Sequence, residues 1–229
     1  MAKTITTKKP KLLKQSGVVK LSETSKLGTY SWSLQAQSTC PGARENGELV
    51  EVCAGCYAVD NMYRFAVVKK VREDNWEAWR QESFVEDFIH VLQGHTHFRW
   101  YDSGDVATKQ LAEKMYEICK ATPNTLHWIP TRSFKIPKIN EVLEKIAALP
   151  NVALRHSSDN YNQILDTDNL NSVVITESNL DNPAVKNCSA FYQDGKCLDC
   201  RDCYDKSIKT IGYIAHGRVA KKTIKLKQI

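Results

Sequence analysis

The sequence predicts an α/β protein: a partial barrel of six strand–helix units, a (βα)6 arrangement, with a cysteine-rich insertion near the C-terminus. Three observations predict it. Strand-like and helix-like runs alternate between residues 29 and 216. Polar residues crowd the end of every strand-like run. Seven of the eight cysteines fall into two groups, one just after the first strand and one just before the last. Alternation of this kind implies a parallel sheet with right-handed crossovers. Six units are too few for a closed eight-stranded barrel, so they suit a partial barrel or a doubly wound sheet.

The elements follow in order. TYSWSL (29–34) alternates as a strand and runs into a cysteine loop, 37–56. MYRFAVVKKV (62–71) and NWEAWRQESFVEDFIHVLQ (75–93) read as helices, the second with Phe84, Val85, Phe88, Ile89 and Leu92 on one stripe. HFRWYD (97–102) is a strand and 106–121 a helix, with Leu111, Met115, Ile118 and the lone Cys119 on one core-facing stripe. LHWIPT (126–131) is a strand, 138–149 a helix, and NVALRHS (151–157) a strand followed by a short helical piece near 161–166. SVVITES (172–178) and IGYIAH (211–216) are the fifth and sixth strands. His127 and His156 fall within strands and are expected to be hydrogen-bonded core or rim groups. The strand ends carry Asp102-Ser103-Gly104-Asp105, Thr131-Arg132-Ser133, Ser157-Ser158-Asp159-Asn160, Thr176-Glu177-Ser178-Asn179 and His216-Gly217-Arg218. In parallel α/β folds that edge is where ligands bind.

The chain has 229 residues, of which 42% are hydrophobic, enough for one domain with a real core. No run of about 18 apolar residues predicts a membrane span. The basic start lacks the apolar segment of a secretory signal, so a cytoplasmic protein is expected. In that compartment thiols stay reduced, and paired C-x2-C spacings favour metal over disulfides. The net charge is +6; residues 1–26 contribute +6 and residues 206–229 contribute +7, which leaves the body at −7. We therefore expect a basic N-terminal arm (1–26), which either contacts nucleic acid or is a solvated terminus, and a single domain over 27–229. The tail GRVAKKTIKLKQI (217–229) alternates as an edge strand would.

Cys40, Cys53 and Cys56 form the first group. Gly55 within Cys53-Ala-Gly-Cys56 and the turn Pro41-Gly42 allow the three to meet. Three thiolates fit a four-iron four-sulfur (4Fe–4S) cluster with one iron open, or zinc with a fourth ligand from elsewhere. The nearest following histidine is His90, far for a closed structural zinc site. Cys188, Cys197, Cys200 and Cys203 form the second group; their C-x2-C-x2-C spacing is more typical of iron–sulfur clusters than of zinc.

An open three-cysteine group after the first strand of such a unit resembles the radical S-adenosylmethionine superfamily. The resemblance implies that Cys40, Cys53 and Cys56 hold a cluster whose open iron is chelated by S-adenosylmethionine (SAM). A reduced cluster then cleaves SAM to a deoxyadenosyl radical. That superfamily usually spaces its cysteines C-x3-C-x2-C; the twelve-residue gap here departs from it. The resemblance further implies cofactor contacts at Tyr57 (adenine), at Ser103, Gly104 and Asp105 (the SAM amino group) and at Ser157 (the ribose). The four later cysteines would then hold an auxiliary cluster. For Asp105, capping of the next helix fits equally well. CPGA (40–43), CAGCYA (53–58), FRWYDSGD (98–105), Thr131-Arg132-Ser133 and CLDCRDCYD (197–205) also resemble a phage family known as gene product 88, which makes a viral origin, and so a host-cell cytoplasm, the expectation.

Glu177, His216 and Arg132 are the candidate catalytic residues: a base or SAM contact, a strand-end group near the cluster edge, and a fork suited to carboxylate or phosphate. The expected function is that of an iron–sulfur protein with SAM and an unknown small-molecule substrate, served by a reductant protein. The alternative is a non-catalytic metal-stabilised module for nucleic-acid binding or electron transfer.

Overall fold

A computed structural model describes residues 18–216 and residue 224. The strands are β1 (Ser22–Glu23), β2 (Tyr30–Trp32), β3 (Arg44–Glu45), β4 (Glu48–Leu49), β5 (His97–Trp100), β6 (Leu126–Thr131), β7 (Val152–Ser157), β8 (Leu170–Ile175), β9 (Lys186–Asn187) and β10 (Thr210–Ile214). The α-helices are α1 (Glu51–Ala54), α2 (Ala66–Ala78), α3 (Phe84–Leu92), α4 (Lys109–Ala121) and α5 (Pro137–Ala147).

The main sheet has the order β1-β2-β5-β6-β7-β8-β10-β9. Its six central strands, β2, β5, β6, β7, β8 and β10, are mutually parallel and stand in chain order. A doubly wound sheet reverses direction at a switch point; these six strands have no such reversal. β1 adds antiparallel to β2 at one edge, and β9 adds parallel to β10 at the other. β3 and β4 form a separate hairpin in the first cysteine loop.

The core lies between helices α2 to α5 and one face of the sheet. Trp32, Phe98, Trp100, Ile129, Val152 and Leu154 face it, against Phe84, Phe88, Leu111, Met115, Ile118, Leu143 and Ile146. Cys119 is buried in the same layer, as its helical stripe predicts. Phe88 stacks on Trp100 at 4.8 Å, and Trp32 meets Trp100 edge-on at 6.0 Å. Such pairs each add about 0.5–1.5 kcal/mol beyond the area they bury.

His127 is buried in this layer. The Trp100 indole donates to its Nδ1 (3.2 Å), which places the proton on Nε2 facing the Thr122 hydroxyl (2.9 Å). Burial drives its pKa down to about 3, so the folded protein holds it neutral. An unfolded histidine takes up a proton below about pH 6.5. Stability is therefore complete above that pH and declines as pH falls toward 3, by about 1.4 kcal/mol per pH unit from this group. We predict that His127→Gln flattens the acid limb by that slope in urea unfolding measured between pH 4 and 7.

Three local expectations change. The helix at 62–71 starts only at Ala66, because Asn61 (φ 51°) opens a 3-10 turn over Asn61–Arg64. The helix at 75–93 is two helices; Lys114 on α4 donates to the carbonyls of Trp79 and Gln81 (2.8 and 2.9 Å) and so caps the break. No helix forms near 161–166: Asn162 (φ 61°) instead ties its amide to the backbone and hydroxyl of Thr176 (2.8 and 3.0 Å). The chain also joins the fold before residue 27, since β1 pairs in the sheet and Val19 is buried in the core. The rest of the basic arm and the edge-strand tail (217–229) lie outside the described residues, residue 224 apart.

Candidate functional site

Among the described residues, the other face of the sheet carries no helix layer. His97 and Arg99 of β5, Trp128 of β6, Arg155 of β7 and Tyr213 of β10 point to it. Parallel strands buried on both faces usually read as continuous apolar runs. HFRW alternates instead, and in VALRHS Arg155 ends an apolar run; both put a charged group on this face.

The second cysteine group lies on this face. Arg155, fully buried, donates to the carbonyls of Cys203 (3.0 Å), Ile208 (2.8 Å), Asp205 (2.6 Å) and Asp202 (3.4 Å). Tyr204 packs against Trp128 and His97. Cys203 Sγ sits 3.2 Å from the Tyr213 hydroxyl, and burial raises its pKa to about 12. Burial also raises Cys188 and Cys197, and the charges of Cys188, Cys197 and Cys200 act on one another.

The first group sits at the C-terminal end of the sheet. Cys40 ends the loop after β2, Cys53 lies in α1, and Cys56 follows Gly55. The α1 turn is tied to the end of β7 by Val52 N–H donating to Asp159 O (2.9 Å) and by Tyr161 N–H donating to the Glu51 carboxylate (3.1 Å). Burial pushes all three thiols up; Asp105 adds to this at Cys40, whereas Arg132 opposes it at Cys53 and Cys56. The backbone N–H of Gln37 points at Cys40 and that of Ala58 at Cys56. The Gln37 side chain also donates to Cys53 O (3.1 Å), so one residue spans two of the cysteines.

Glycine is required twice here. A Cβ on Gly42 would lie 2.1 Å from the Arg132 carbonyl oxygen, a backbone atom that cannot turn aside. Gly104 has φ 77°, and its Cβ would meet Leu34 at 2.7 Å. We predict that Gly42→Ala forces the cysteine loop off the end of β6 and lowers stability by about 1–3 kcal/mol, read by thermal unfolding.

The remaining sequence candidates divide sharply. Asp105 accepts from Val106 N–H (2.7 Å), the Thr131 hydroxyl (2.6 Å) and Arg132 N–H (2.8 Å), so it pins β6 to the loop after β5. It does not cap α4; Thr108 does, accepting from Leu111 N–H (3.1 Å). Ser103 is held between Leu34 O (2.8 Å) and Arg72 (2.5 Å). Arg132 donates twice to Ser158 O (3.0 and 2.5 Å) and lies 3.6 Å from Asp159. Ser157 is buried beside Ser172. Glu177 is exposed on a 3-10 turn, with no hydrogen bond or ion pair among the described residues.

Tyr57 and His216 do come together, their rings near-parallel at 6.5 Å. The Tyr57 hydroxyl is buried and donates to Asp102 O (2.5 Å), while 43% of the residue stays exposed along the ring. His216 donates from Nδ1 to Ile214 O (2.9 Å), which leaves Nε2 to accept from Lys26 (3.1 Å). Sequence reasoning missed Gln37, Lys26, Arg99 and Arg155. Alternation in β5 was the available signal for Arg99, and a charge inside the strand-like VALRHS was the signal for Arg155; nothing local marks Gln37 or Lys26.

Among the described residues, no group of three or more His, Cys, Asp or Glu side chains closes around a point where one ion would sit, and no helix is long and apolar enough to cross a membrane. Fold and site together define a mixed α/β protein whose mostly parallel sheet carries two cysteine groups, one at its C-terminal edge and one across its open face. The chain belongs to the gene product 88 family, whose family model matches residues 2–225. No curated protein and no solved structure matches it.

Proposed function

We propose that this protein is an iron–sulfur enzyme on a partial β/α barrel. Cys40, Cys53 and Cys56 hold a cluster with one iron open to SAM, and Cys188, Cys197, Cys200 and Cys203 hold a second. The observation that carries the reading is the placement of three thiols, Cys53 buried and Cys40 and Cys56 partly buried, whose charges act on one another at the C-terminal edge of six parallel strands in chain order. Chain order without reversal is the winding of a barrel rather than of a doubly wound sheet. A polynuclear cluster binds each thiolate through a different metal atom. It therefore suits three neighbouring cysteines.

When bound, such a cluster would supply electrons and an iron open to a chelating ligand. The chain supplies the rest. Gln37 and Ala58 aim backbone N–H groups at the sulfurs, and Arg132 offsets their negative charge. Tyr57 offers an exposed ring flank for a planar group. Ser103, Gly104 and Asp105 hold the loop beneath the site in shape, and Ser157 lies at the adjoining strand end. Anaerobic purification with metal analysis tests the reading, followed by SAM and a strong reductant. The expected result is about eight each of iron and sulfide per chain, and release of deoxyadenosine. A colourless protein with stoichiometric zinc contradicts it.

A further inference from the structure

Two arginines reach the open face of the sheet, and they differ in one respect. Arg155 is saturated: Nε, Nη1 and Nη2 all donate to carbonyls of the second cysteine segment. Arg99 is not. Its guanidinium lies over the Trp128 ring at 4.6 Å, and one nitrogen, Nη2, reaches the Tyr57 hydroxyl at 3.4 Å. Its Nε is buried without a partner. A guanidinium has five N–H donors, and among the described residues Arg99 has one hydrogen bond. Asp102 is the nearest carboxylate, but its oxygens are taken by Arg72 (3.3 Å), Ser33 and Tyr63 (3.5 Å), and it forms no ion pair with Arg99.

The surroundings add positive charge. Tyr57 links Arg99 to His216, which in turn contacts Lys26. Among the described residues Lys26 has no carboxylate partner, and its side chain contacts His216 Nε2. Arg99, Trp128, Tyr57, His216 and Lys26 thus form one linked group of side chains.

We propose that this group of side chains binds the oxyanion of a small-molecule substrate, a carboxylate or a phosphate, with Arg99 as its bidentate anchor. The planar fork of arginine matches either group, and its stacking on Trp128 fixes the fork's direction. The inference gives the substrate class for the site proposed above and rests on that reading for the ligand's role in a reaction. The binding itself needs no cluster chemistry.

Titration of the purified protein with sodium phosphate and, separately, sodium acetate at constant ionic strength tests it, read by thermal shift and calorimetry. Saturable stabilisation by one of the two is expected, and the arm that saturates identifies the anion class. Arg99→Met should weaken that binding about ten- to a hundredfold, the effect of one charge-assisted contact. Lys26→Met should weaken it less. Arg99→Lys, which keeps charge and stem, controls for folding and should bind more weakly than wild type. Unchanged affinity in Arg99→Met, or no saturable binding to either anion, overturns the proposal. Iron and sulfide are measured in the same samples. If Arg99→Met instead loses the second cluster while anion affinity persists, Arg99 is a counter-charge to the thiolates, and the oxyanion site falls while the cluster reading stands.

Discussion

Replacing Cys53 with alanine is expected to remove about half of the bound iron, roughly four atoms per chain, and to abolish deoxyadenosine formation. The fold should persist, because α1 is held by its backbone and by Glu51 rather than by the thiol: Val52 binds Asp159 O, and Glu51 receives Tyr161. Cys200→Ala should remove the other half and leave the first group loaded. The two groups are separable because they lie on different parts of the sheet, one at its edge and one across its face. A Cys53→Ala protein with unchanged iron would mean that the three-cysteine group holds no cluster. A protein losing all its iron from either change would mean one shared site. Iron analysis with circular dichroism distinguishes these outcomes.

Arg155→Met is expected to be the most destabilising single change on the open face. The substitution keeps most of the volume and removes the donors. It leaves the carbonyls of Asp202, Cys203, Asp205 and Ile208 without their partner. An unsatisfied buried polar group costs about 1–3 kcal/mol. Relief of the buried charge offsets part of that, since burial already lowers the pKa of Arg155. A net loss of about 3–5 kcal/mol is expected from urea unfolding, with the second cysteine segment detaching first. A loss below about 1 kcal/mol would mean that Tyr204, Trp128 and Tyr213 hold the segment without it.

The strands and the cysteine groups were legible in the sequence because their signals are local: period-two alternation, short spacings and turn residues. The six main strands sit within a few residues of where alternation places them. What was not legible came from tertiary partners. The break between α2 and α3 depends on a lysine two elements away, and the lost helix near 161–166 on an asparagine reaching Thr176. At the site, Asp105 and Ser103 were recognisable as polar strand-end residues. Their engagement with Thr131, Arg132, Leu34 and Arg72 depends on which strands become neighbours. Arg99 and Arg155 look alike in sequence, each an arginine inside a strand-like run. Only the packing of the second cysteine segment makes one a saturated structural anchor and leaves the other with donors to spare.

The central claim is that the first cysteine group leaves one metal atom without a protein ligand. Mössbauer spectroscopy of protein loaded with isotopically enriched iron, recorded with and without SAM, tests it most directly. The account predicts that one iron of the cluster held by Cys40, Cys53 and Cys56 changes its signal when SAM is added, and that the cluster held by the four later cysteines does not. Spectra indifferent to SAM, or zinc in place of iron at the first group, would contradict it.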